Sequence, residues 1–367
     1  MNLSRQPIAV LIPNLKFGGA ERVVVDLANH WVGLGIHVDL LIFTRTGEYV
    51  EQLDSRVNLV PLEITRIRQL FFPLREYLVR SNPVILWVHL YPLTVMAILS
   101  TRFLSWRHKI YLTHHNMLFR PDVGRLVFQK LIAMIGLNLF YRFSAGVTCV
   151  SKGVAAELVE FAPKNAHLVE VIYNPYSVKD GPLTPALMKF SSKSNALKVL
   201  NVGELKTQKN QLLLIEAVAK AKALIPIECC IIGSGPLYTL LEKRIKALAA
   251  EDVITLIGFQ KYLLAWYKSA DVFVLTSNWE GFGNVIVEAL SVGLNVISTD
   301  CPSGPAEILK DGELGILIPQ NDVQKLVDAL VLVYDRGEVN LRGILRARDF
   351  EIDKVSRQYL SLFLDDN

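Results

Sequence analysis

The chain has 367 residues, of which 51% are hydrophobic and 20% are charged, and its net charge at pH 7 is +4. This length predicts two domains with sizeable cores, and the composition excludes a chain that is mainly disordered. The four cysteines form no C-x-x-C pair, which argues against a disulfide framework or a zinc site and favours a reducing cytosol. The opening residues MNLSRQPIAVLIP lack the pattern of a signal peptide, so we expect no cleaved leader.

Short apolar runs alternate with helical segments through the first half of the chain. This alternation predicts a parallel sheet covered by helices, with strands at Ile8–Ile12, Ile36–Phe43, Val84–His89, Ile110–Thr113 and Gly146–Val150. Residues 84–101 contain no Asp, Glu, Lys or Arg over 18 positions, which is the length of a membrane-span candidate. His89 and Pro92 interrupt that stretch, so we expect a strand, a turn and a short helix instead.

Two features of this half follow predicted strands, where parallel sheets gather their active groups. Gly18 and Gly19 end the loop before the first helix, which is predicted from Ala20, and their bare backbone could approach a phosphate, although a plain tight turn is the alternative. The segment THHN at 113–116 ends a later strand, and its two histidines are either structural or part of a site. In an extended segment His114 and His115 point in opposite directions.

A second alternating pattern begins after a stretch rich in Pro, Gly, Ser and Lys. We predict an amino-terminal domain at 1–180, a linker at 181–196, a second domain at 197–345 and a final helical segment at 346–367 that packs back across the domain junction. The strands expected in the second domain are Lys198–Val202, Ile227–Ile232, Ile254–Gly258, Val272–Thr276 and Asn295–Thr299. Two such halves predict an α/β protein with two doubly wound, Rossmann-like domains.

The strongest chemical signal in the chain lies at 277–308. A loop with the sequence GFG leads into a helix predicted over Asn284–Val292. Backbone N–H groups and the positive end of the helix dipole make such a junction a site for a diphosphate. Glu280 and Glu288 bracket this site, and because carboxylates repel phosphate, their natural partners are hydroxyl groups on either side of it. A ligand with a sugar on one side of its diphosphate and a ribose on the other is a nucleotide sugar.

The run EGFGNVIVE, followed by STDCPSGPAEIL, resembles retaining glycosyltransferases of family 4, which have the GT-B fold. The segment GGAERVVVDLA near the start of the chain is similar to the amino-terminal glycine loop of the same family. The resemblance implies two Rossmann-like domains that face a central cleft. It places Glu280 beside the donor sugar and Glu288 on the ribose, with the backbone around Phe282, Gly283 and Asn284 contacting sugar and phosphate.

The resemblance also implies roles for residues of the first domain. Gly18 and Gly19 would face the donor diphosphate. The family carries a histidine that reaches the donor and the acceptor, and His115 is the residue that matches it here. Whether His115 moves a proton or only positions the sugar is left open by the motif.

The loop GELKTQKN at 203–210 departs from the family pattern. The family has an arginine directly after the glycine and a lysine further along, and these cations stabilise the leaving diphosphate. Lys209 matches the lysine, but Glu204 occupies the place of the arginine. Either Lys206 supplies the missing charge, or the site relies on Lys209 and helix dipoles; both lysines could also be ordinary solvated loop residues.

Positive charge is concentrated in the first half, where residues 1–180 hold 19 Lys and Arg against 13 Asp and Glu, whereas the remainder holds 20 against 22. Within 66–130, ten basic residues stand against only Glu76 and Asp122, with aromatic residues between them. This mixture suits an anionic membrane surface, where each cation contributes about 1 kcal/mol, although solvated helix faces are the alternative. No nucleic-acid-binding module is recognisable. Contact with a membrane would imply a lipid-linked acceptor.

Together these features predict a glycosyltransferase that moves a sugar from a nucleotide diphosphate, expected to be a UDP-hexose or UDP-N-acetylhexosamine. The expected acceptor is a lipid-linked or polysaccharide chain in bacterial cell-surface glycan synthesis, and the expected location is the cytoplasm, peripheral on the inner face of the membrane. No D-x-D motif occurs, so no metal or other cofactor is expected. A nucleotide-sugar epimerase of GT-B architecture and a non-catalytic nucleotide-sugar-binding protein are the alternatives.

Overall fold

The computed structural model describes residues 6–102, 104, 109–118, 127–178, 190, 195–337 and 339–364. Its contacts divide the chain into two compact units, one formed by Met1–Pro175 with Ile352–Asn367 and the other by Tyr176–Glu351. The backbone N–H of Tyr176 donates to the Phe350 carbonyl, which attaches the start of the second unit to its end. The predicted linker at 181–196 lies, apart from residues 190, 195 and 196, outside the described residues.

The first unit contains a seven-stranded parallel sheet with the strand order β3-β2-β1-β4-β5-β6-β7. Its central strands are buried along their whole length, which explains why they read as continuous apolar runs. The strands are β1 Ile8–Leu11, β2 Val38–Ile42, β3 Asn58–Pro61, β4 Ile85–His89, β5 Lys109–His114, β6 Gly146–Cys149 and β7 Val169–Val171. The helices are α1 Gly19–Gly33, α2 Phe71–Ser81, α3 Leu93–Thr101, α4 Val127–Phe140 and α5 Lys152–Phe161.

The second unit contains a six-stranded parallel sheet with the order β10-β9-β8-β11-β12-β13. Leu214 and Val218 on one helix and Leu326 and Leu330 on another are fully buried in its core. The strands are β8 Leu197–Val202, β9 Ile227–Ile232, β10 Ile254–Gly258, β11 Val272–Leu275, β12 Asn295–Thr299 and β13 Ile316–Ile318. The helices are α6 Gln211–Ala221, α7 Tyr238–Ala247, α8 Leu264–Ser269, α9 Asn284–Ser291, α10 Pro305–Ile308, α11 Val323–Arg336 and α12 Leu341–Ala347.

The last helix of the chain, α13 (Ile352–Leu364), belongs to the first unit although it follows the second in sequence. It packs on α1, where the indole N–H of Trp31 donates a 2.9 Å hydrogen bond to Ser356 Oγ. Phe363 is fully buried against Trp31 and Trp87, so the helix completes the apolar core of this unit.

The ten strands predicted from the sequence are all confirmed, and so is the strand–turn–helix reading of residues 84–101, which form β4 and α3. The three strands that the sequence did not predict, β3, β7 and β13, are four, three and three residues long. All three lie at sheet edges. No helix in the described part of the chain has both the length and the apolar character needed to cross a bilayer.

In each sheet the strand order reverses once, between β1 and β4 in the first unit and between β8 and β11 in the second. Open parallel sheets bind ligands beside the carboxyl ends of the strands at such a reversal. The loops and side chains that follow these four strands are therefore the first places to look for a site. They include the glycine loop after β1, His89 at the end of β4, the loop 203–210 after β8 and Glu280 after β11.

Candidate active site

Glu280 is buried in the loop between β11 and α9, and its carboxylate has two donors. Oε1 accepts a hydrogen bond from Lys209 Nζ at 2.6 Å and another from Ser277 Oγ at 2.6 Å. A buried ion pair offsets its desolvation only when its geometry is good and further hydrogen bonds support it, and here Ser277 adds a second hydrogen bond to the same oxygen. Burial, and to a smaller extent the negative charge of Glu280, raise the pKa of the neighbouring Cys301 thiol to about 12.

The loop after β8 and the loop after β11 are joined by hydrogen bonds, and this brings Lys209 to Glu280. Gln208 Nε2 donates to the Trp279 carbonyl at 2.9 Å, and the backbone N–H of Asn278 donates to the Gln208 carbonyl at 2.8 Å. Thr276 Oγ1 adds a bond to the Lys209 carbonyl at 3.0 Å. The pair is thus held by backbone on both sides, so its geometry is fixed before any ligand binds.

The segment from Phe282 to Asn284 forms a rigid approach to the start of α9. The Phe282 ring is buried edge-on against Phe350, with their ring centroids 5.3 Å apart. Gly283 has φ +104°, a backbone conformation that glycine adopts without strain. Gly304 has φ +92°, and a Cβ there would lie 1.8 Å from the Phe282 carbonyl oxygen. Two glycines therefore set the path by which the backbone reaches the helix start that was predicted to bind phosphate.

Glu288 is almost completely buried on α9, with 1% of its surface exposed. Its Oε2 accepts a 2.8 Å hydrogen bond from the hydroxyl of Tyr267. The sequence indicated that a carboxylate on this apolar helix needs a partner, but nothing in the sequence pointed to Tyr267, which lies 21 positions earlier. Glu288 stands one helical turn after Asn284, so a single short helix carries both the predicted phosphate contact and the predicted ribose contact.

Lys206 pairs with Glu204, the residue that replaces the family arginine. Lys206 Nζ lies 2.5 Å from Glu204 Oε2, and the two side chains are 36% and 53% exposed. The carboxylate therefore neutralises Lys206, and at this exposure the pair adds little to stability. Of the two lysines predicted to bind the diphosphate, Lys209 is the one that lies beside Glu280.

The predicted anion site at Gly18 and Gly19 lies against two carboxylates. Gly18 is extended and α1 begins at Gly19, one residue before the predicted start at Ala20. A Cβ on Gly18 would lie 2.1 Å from Glu21 Oε2, and the backbone N–H of Phe17 donates to Glu48 Oε2 at 3.1 Å. Negative charge at the loop opposes the binding of a phosphate, so the role of this glycine loop stays a prediction.

His115 forms a buried pair with His89, a residue that the sequence reading did not single out. His89 Nδ1 and His115 Nε2 are 2.8 Å apart, and the two rings are tilted by 30°. His114 turns the other way, as predicted, and its Nε2 lies 2.8 Å from the Tyr141 hydroxyl. The signal for His89 was present: it ends β4 just as the THHN segment ends β5, and these strands are neighbours in register, with His89 opposite Thr113.

Burial keeps all three histidines neutral at physiological pH. It lowers the pKa of His115 to about 3 and that of His114 to about 4, and it holds the pKa of His89 well below the usual 6.5. A nearby imidazole lowers the pKa of His89 and of His115 further. In a neutral pair one nitrogen donates and the other accepts. His89 Nε2 and His115 Nδ1 are buried and have no hydrogen-bond partner among the described residues.

No group of three or more His, Cys, Asp or Glu side chains is placed to hold a metal ion within the described ranges. The groups that the structure does bring together are two: Lys209, Ser277 and Glu280 with the start of α9 in the second unit, and His89 with His115 in the first. Sequence reasoning found Lys209, Glu280 and His115, and it missed Ser277 and His89. The second group offers neutral hydrogen-bonding imidazoles, and the first offers a fixed cation, a fixed carboxylate and the backbone at the start of α9.

Two family models match the chain, glycosyltransferase family 4 over residues 17–179 and glycosyl transferases group 1 over residues 186–349. An uncharacterized glycosyltransferase of Methanocaldococcus jannaschii is 31% identical over 44% of this chain and 48% of that protein, so the chain aligns with about half of that relative. A Campylobacter jejuni protein is 25% identical over 98% of both chains. Its name is GalNAc-alpha-(1->4)-GalNAc-alpha-(1->3)-diNAcBac-PP-undecaprenol alpha-1,4-N-acetyl-D-galactosaminyltransferase.

Among solved structures, Anabaena Alr3699/HepE in complex with UDP and glucose has the same fold, with a TM-score of 0.81 and 19% identity. The likeness covers 97% of this chain and 98% of that one. The two parallel sheets, each with one reversal of strand order, agree with this likeness. The chain has the GT-B fold and is an enzyme of glycosyltransferase family 4.

Proposed function

We propose that this glycosyltransferase moves a sugar from a UDP-hexose or UDP-N-acetylhexosamine to a lipid-linked or polysaccharide acceptor, with retention at the anomeric carbon. The observation that carries the proposal is the pairing of Lys209 with Glu280 beside the start of α9. A carboxylate suited to sugar hydroxyls and a cation suited to a diphosphate lie within one hydrogen bond of each other. The name of the Campylobacter relative, with its undecaprenol-linked acceptor, and the UDP and glucose of the Anabaena complex support the same substrate classes.

In this proposal Glu280 accepts hydrogen bonds from hydroxyl groups of the donor sugar, and its position is fixed by Ser277 and Lys209. When the bond between sugar and diphosphate breaks, negative charge grows on the leaving group. Lys209, together with backbone around Phe282, Gly283 and Asn284 at the start of α9, stabilises that charge. These donors are already in place, so the reaction costs little reorganisation. Lys206, paired to Glu204, is a secondary source of positive charge.

Glu288 holds the nucleotide by accepting hydrogen bonds from the ribose hydroxyls. Its bond from Tyr267 fixes the orientation of the side chain. His115 contributes as a neutral hydrogen-bonding group, because an imidazole with a pKa of about 3 is uncharged at pH 7 and does not act as a general acid. Gly18 and Gly19 bind the diphosphate through backbone N–H groups only if the side chains of Glu21 and Glu48 first move away from the loop.

We further propose a cytoplasmic enzyme, peripheral on an anionic membrane surface, that acts without a metal cofactor. The basic and aromatic residues of the first half of the chain support the membrane contact, as does the lipid-linked acceptor of the relative. The absence of a D-x-D motif in the sequence supports metal independence. Activity unaffected by EDTA would agree with this, and activity restored only by added Mg²⁺ or Mn²⁺ would contradict it.

The proposal is tested by incubating the purified protein with a panel of UDP- and GDP-sugars and a bacterial lipid extract. Labelled sugar recovered in the lipid fraction identifies the donor. The proton coupling across the anomeric position of the product, measured by NMR, reports its configuration. The configuration of the donor is expected in the product, and the opposite configuration would show that the enzyme inverts.

A further inference from the structure

The helix α4 (Val127–Phe140) is apolar on two opposite faces. Its inward face packs into the first unit through Ala133 and Leu137, which are 3% and 0% exposed. Its outward face carries four large aliphatic side chains, which we call the α4 stripe. They are Leu131, Ile132, Ile135 and Leu139, exposed by 50%, 52%, 50% and 48%. Their spacing places them along one side of the helix.

Another helix of the same protein shows what an outward face normally carries. The helix α11 buries Leu326 and Leu330, but its exposed positions include Gln324, Lys325 and Asp328. A helix on the surface of a globular unit is expected to be mainly polar outside, and α11 exposes one large aliphatic side chain, Leu332, among these polar ones. The α4 stripe breaks that expectation over about two and a half turns, and a contiguous apolar patch of this kind marks an interaction surface.

The charge of the surrounding sequence indicates which partner the stripe meets. Exposed Lys130 and Arg142 flank it, and no Asp or Glu lies between them. Over residues 77–156 the only acidic residue is Asp122. The cations of that segment are Arg80, Arg102, Arg107, Lys109, Arg120, Arg125, Lys130, Arg142 and Lys152. Aliphatic side chains bordered by cations complement a bilayer surface that carries anionic headgroups over an apolar interior.

We propose that the α4 stripe inserts into the interface of an anionic membrane and so docks the enzyme on the bilayer. The inference rests on the proposed function in one respect, since a lipid-linked acceptor would itself lie in that bilayer. A second copy of the chain is a poorer partner. Stable protein interfaces use about 20–30 residues on each side, whereas the stripe has four half-exposed ones and its cations would face each other.

The test is flotation of the full chain with vesicles, without donor or acceptor. Vesicles of phosphatidylcholine with phosphatidylglycerol are compared with vesicles of phosphatidylcholine alone, and binding is expected mainly to the anionic ones. The double variant Leu131→Gln/Ile135→Gln should lower the partition coefficient by about tenfold or more, the scale of removing one buried leucine side chain from an apolar phase. The matched control is Leu341→Gln/Leu345→Gln on α12, where two leucines at the same spacing are 67% and 62% exposed.

A second variant, Ile135→Trp, reports insertion directly. The chain has five tryptophans of its own, so the readout is the difference in fluorescence between the variant and the native chain. This difference should shift to the blue with anionic vesicles and should be quenched by brominated acyl chains. The proposal is overturned if the native chain does not float, if the α12 variant loses as much binding as the α4 variant, or if the α4 substitutions change the sedimentation mass rather than the flotation. A protein that floats through α4 but glycosylates no lipid refutes the proposed acceptor and leaves the surface standing. A protein that glycosylates a lipid in detergent but never floats refutes the membrane surface on α4 and leaves the proposed acceptor standing.

Discussion

Lys209 Nζ donates to Glu280 Oε1 at 2.6 Å, although 71 positions separate the two residues in the sequence. Their side chains are 16% and 7% exposed, so water screens the pair little. The pairing joins the group expected at the donor sugar to the group expected at the leaving diphosphate. A substitution of either residue leaves the other charge buried without its partner, so each should affect both binding and turnover.

Replacing Lys209 by methionine should weaken the binding of UDP by about tenfold or more, because a charge-assisted hydrogen bond to a phosphate is lost. The affinity for uridine, which has no phosphate, should change little. Titration calorimetry with UDP and uridine measures both values. Lys220→Met, on the exposed side of α6, is the control for loss of a lysine. Equal losses for both ligands would mean that Lys209 supports the fold rather than the diphosphate.

The variant Lys206→Met distinguishes the two lysines. Because the Lys206 side chain is 36% exposed and that of Lys209 only 16%, water screens Lys206 more, so its loss should weaken UDP binding less than the loss of Lys209 does. Conversely, Glu204→Gln should release Lys206 and strengthen UDP binding. If Lys206→Met has the larger effect, then Lys206 takes the place of the family arginine and Lys209 serves only to hold Glu280.

Glu288→Gln should lower UDP affinity by about tenfold, the scale of hydrogen bonds to a charged acceptor. If the carboxylate holds the ribose hydroxyls, the same substitution should have almost no effect on the affinity for 2′,3′-dideoxy-UDP. Tyr267→Phe, which removes the 2.8 Å bond to Glu288, should show a smaller loss with the same dependence on the hydroxyls. A loss that is equal for both nucleotides would place Glu288 in a purely structural role.

The buried histidines predict that the protein loses stability in mild acid. His89, His114 and His115 have pKa values below 6.5 in the folded chain, so between pH 6.5 and about 4 the unfolded chain binds more protons. The free energy of unfolding is therefore unaffected by these groups above pH 6.5 and falls as the pH drops below it, by on the order of 2 kcal/mol at pH 5 for His114 and for His115. His89 acts in the same direction. Urea unfolding at pH 7 and pH 5 measures this difference.

The control for the pH experiment is His114→Asn, which should reduce the loss of stability between pH 7 and pH 5. His37 is exposed, so His37→Asn should leave it unchanged. The same neutral histidines predict that kcat/KM shows no inflection near pH 6.5 arising from His115. An inflection there that disappears in His115→Asn would contradict the neutral pair.

Gly304→Ala should disturb the site through the backbone. A Cβ there meets the Phe282 carbonyl oxygen at 1.8 Å, and the φ of +92° is unfavourable for alanine, so the loop at 282–284 must move. Gly337→Ala is the matched control, since its φ is also positive at +59° and nothing lies within 4 Å of the added carbon. The control should lower the free energy of unfolding by about 1 kcal/mol, as expected for alanine at positive φ. Gly304→Ala should lower it by clearly more. An equal decrease in the free energy of unfolding for the two variants would show that the loop at 282–284 moves without strain.

Local patterns predicted much of this protein. Alternating apolar runs predicted the nine inner strands and the edge strand β10, and the glycine loop before Asn284 located the start of α9 to the residue. Edge strands such as β7, with the sequence VEV, are too short and too exposed to leave a periodic signal. The Lys206–Glu204 pair joins positions two apart, yet the sequence alone left open which way either side chain turns.

The partners of the site residues were harder to predict because they are set by tertiary contacts. Ser277 was within the stretch that drew attention, but its hydroxyl is one of many that could have met Glu280. Tyr267 and His89 reach Glu288 and His115 from neighbouring elements 21 and 26 positions away, and no local spacing encodes those distances. The strand-end position of His89 was the one usable clue, and it applies to every strand of a parallel sheet.

The most direct test of the account compares the native chain with Glu280→Gln in one assay, in which released UDP and sugar transferred to a lipid-linked acceptor are counted together. Glu251→Gln, an exposed acid, is the control. The native chain and the control should release one UDP for each sugar transferred, and Glu280→Gln should lower kcat/KM by about 100-fold or more while still binding UDP. Undiminished transfer by Glu280→Gln, or donor binding without transfer to any acceptor by the native chain, would contradict the central role of the Lys209–Glu280 pair.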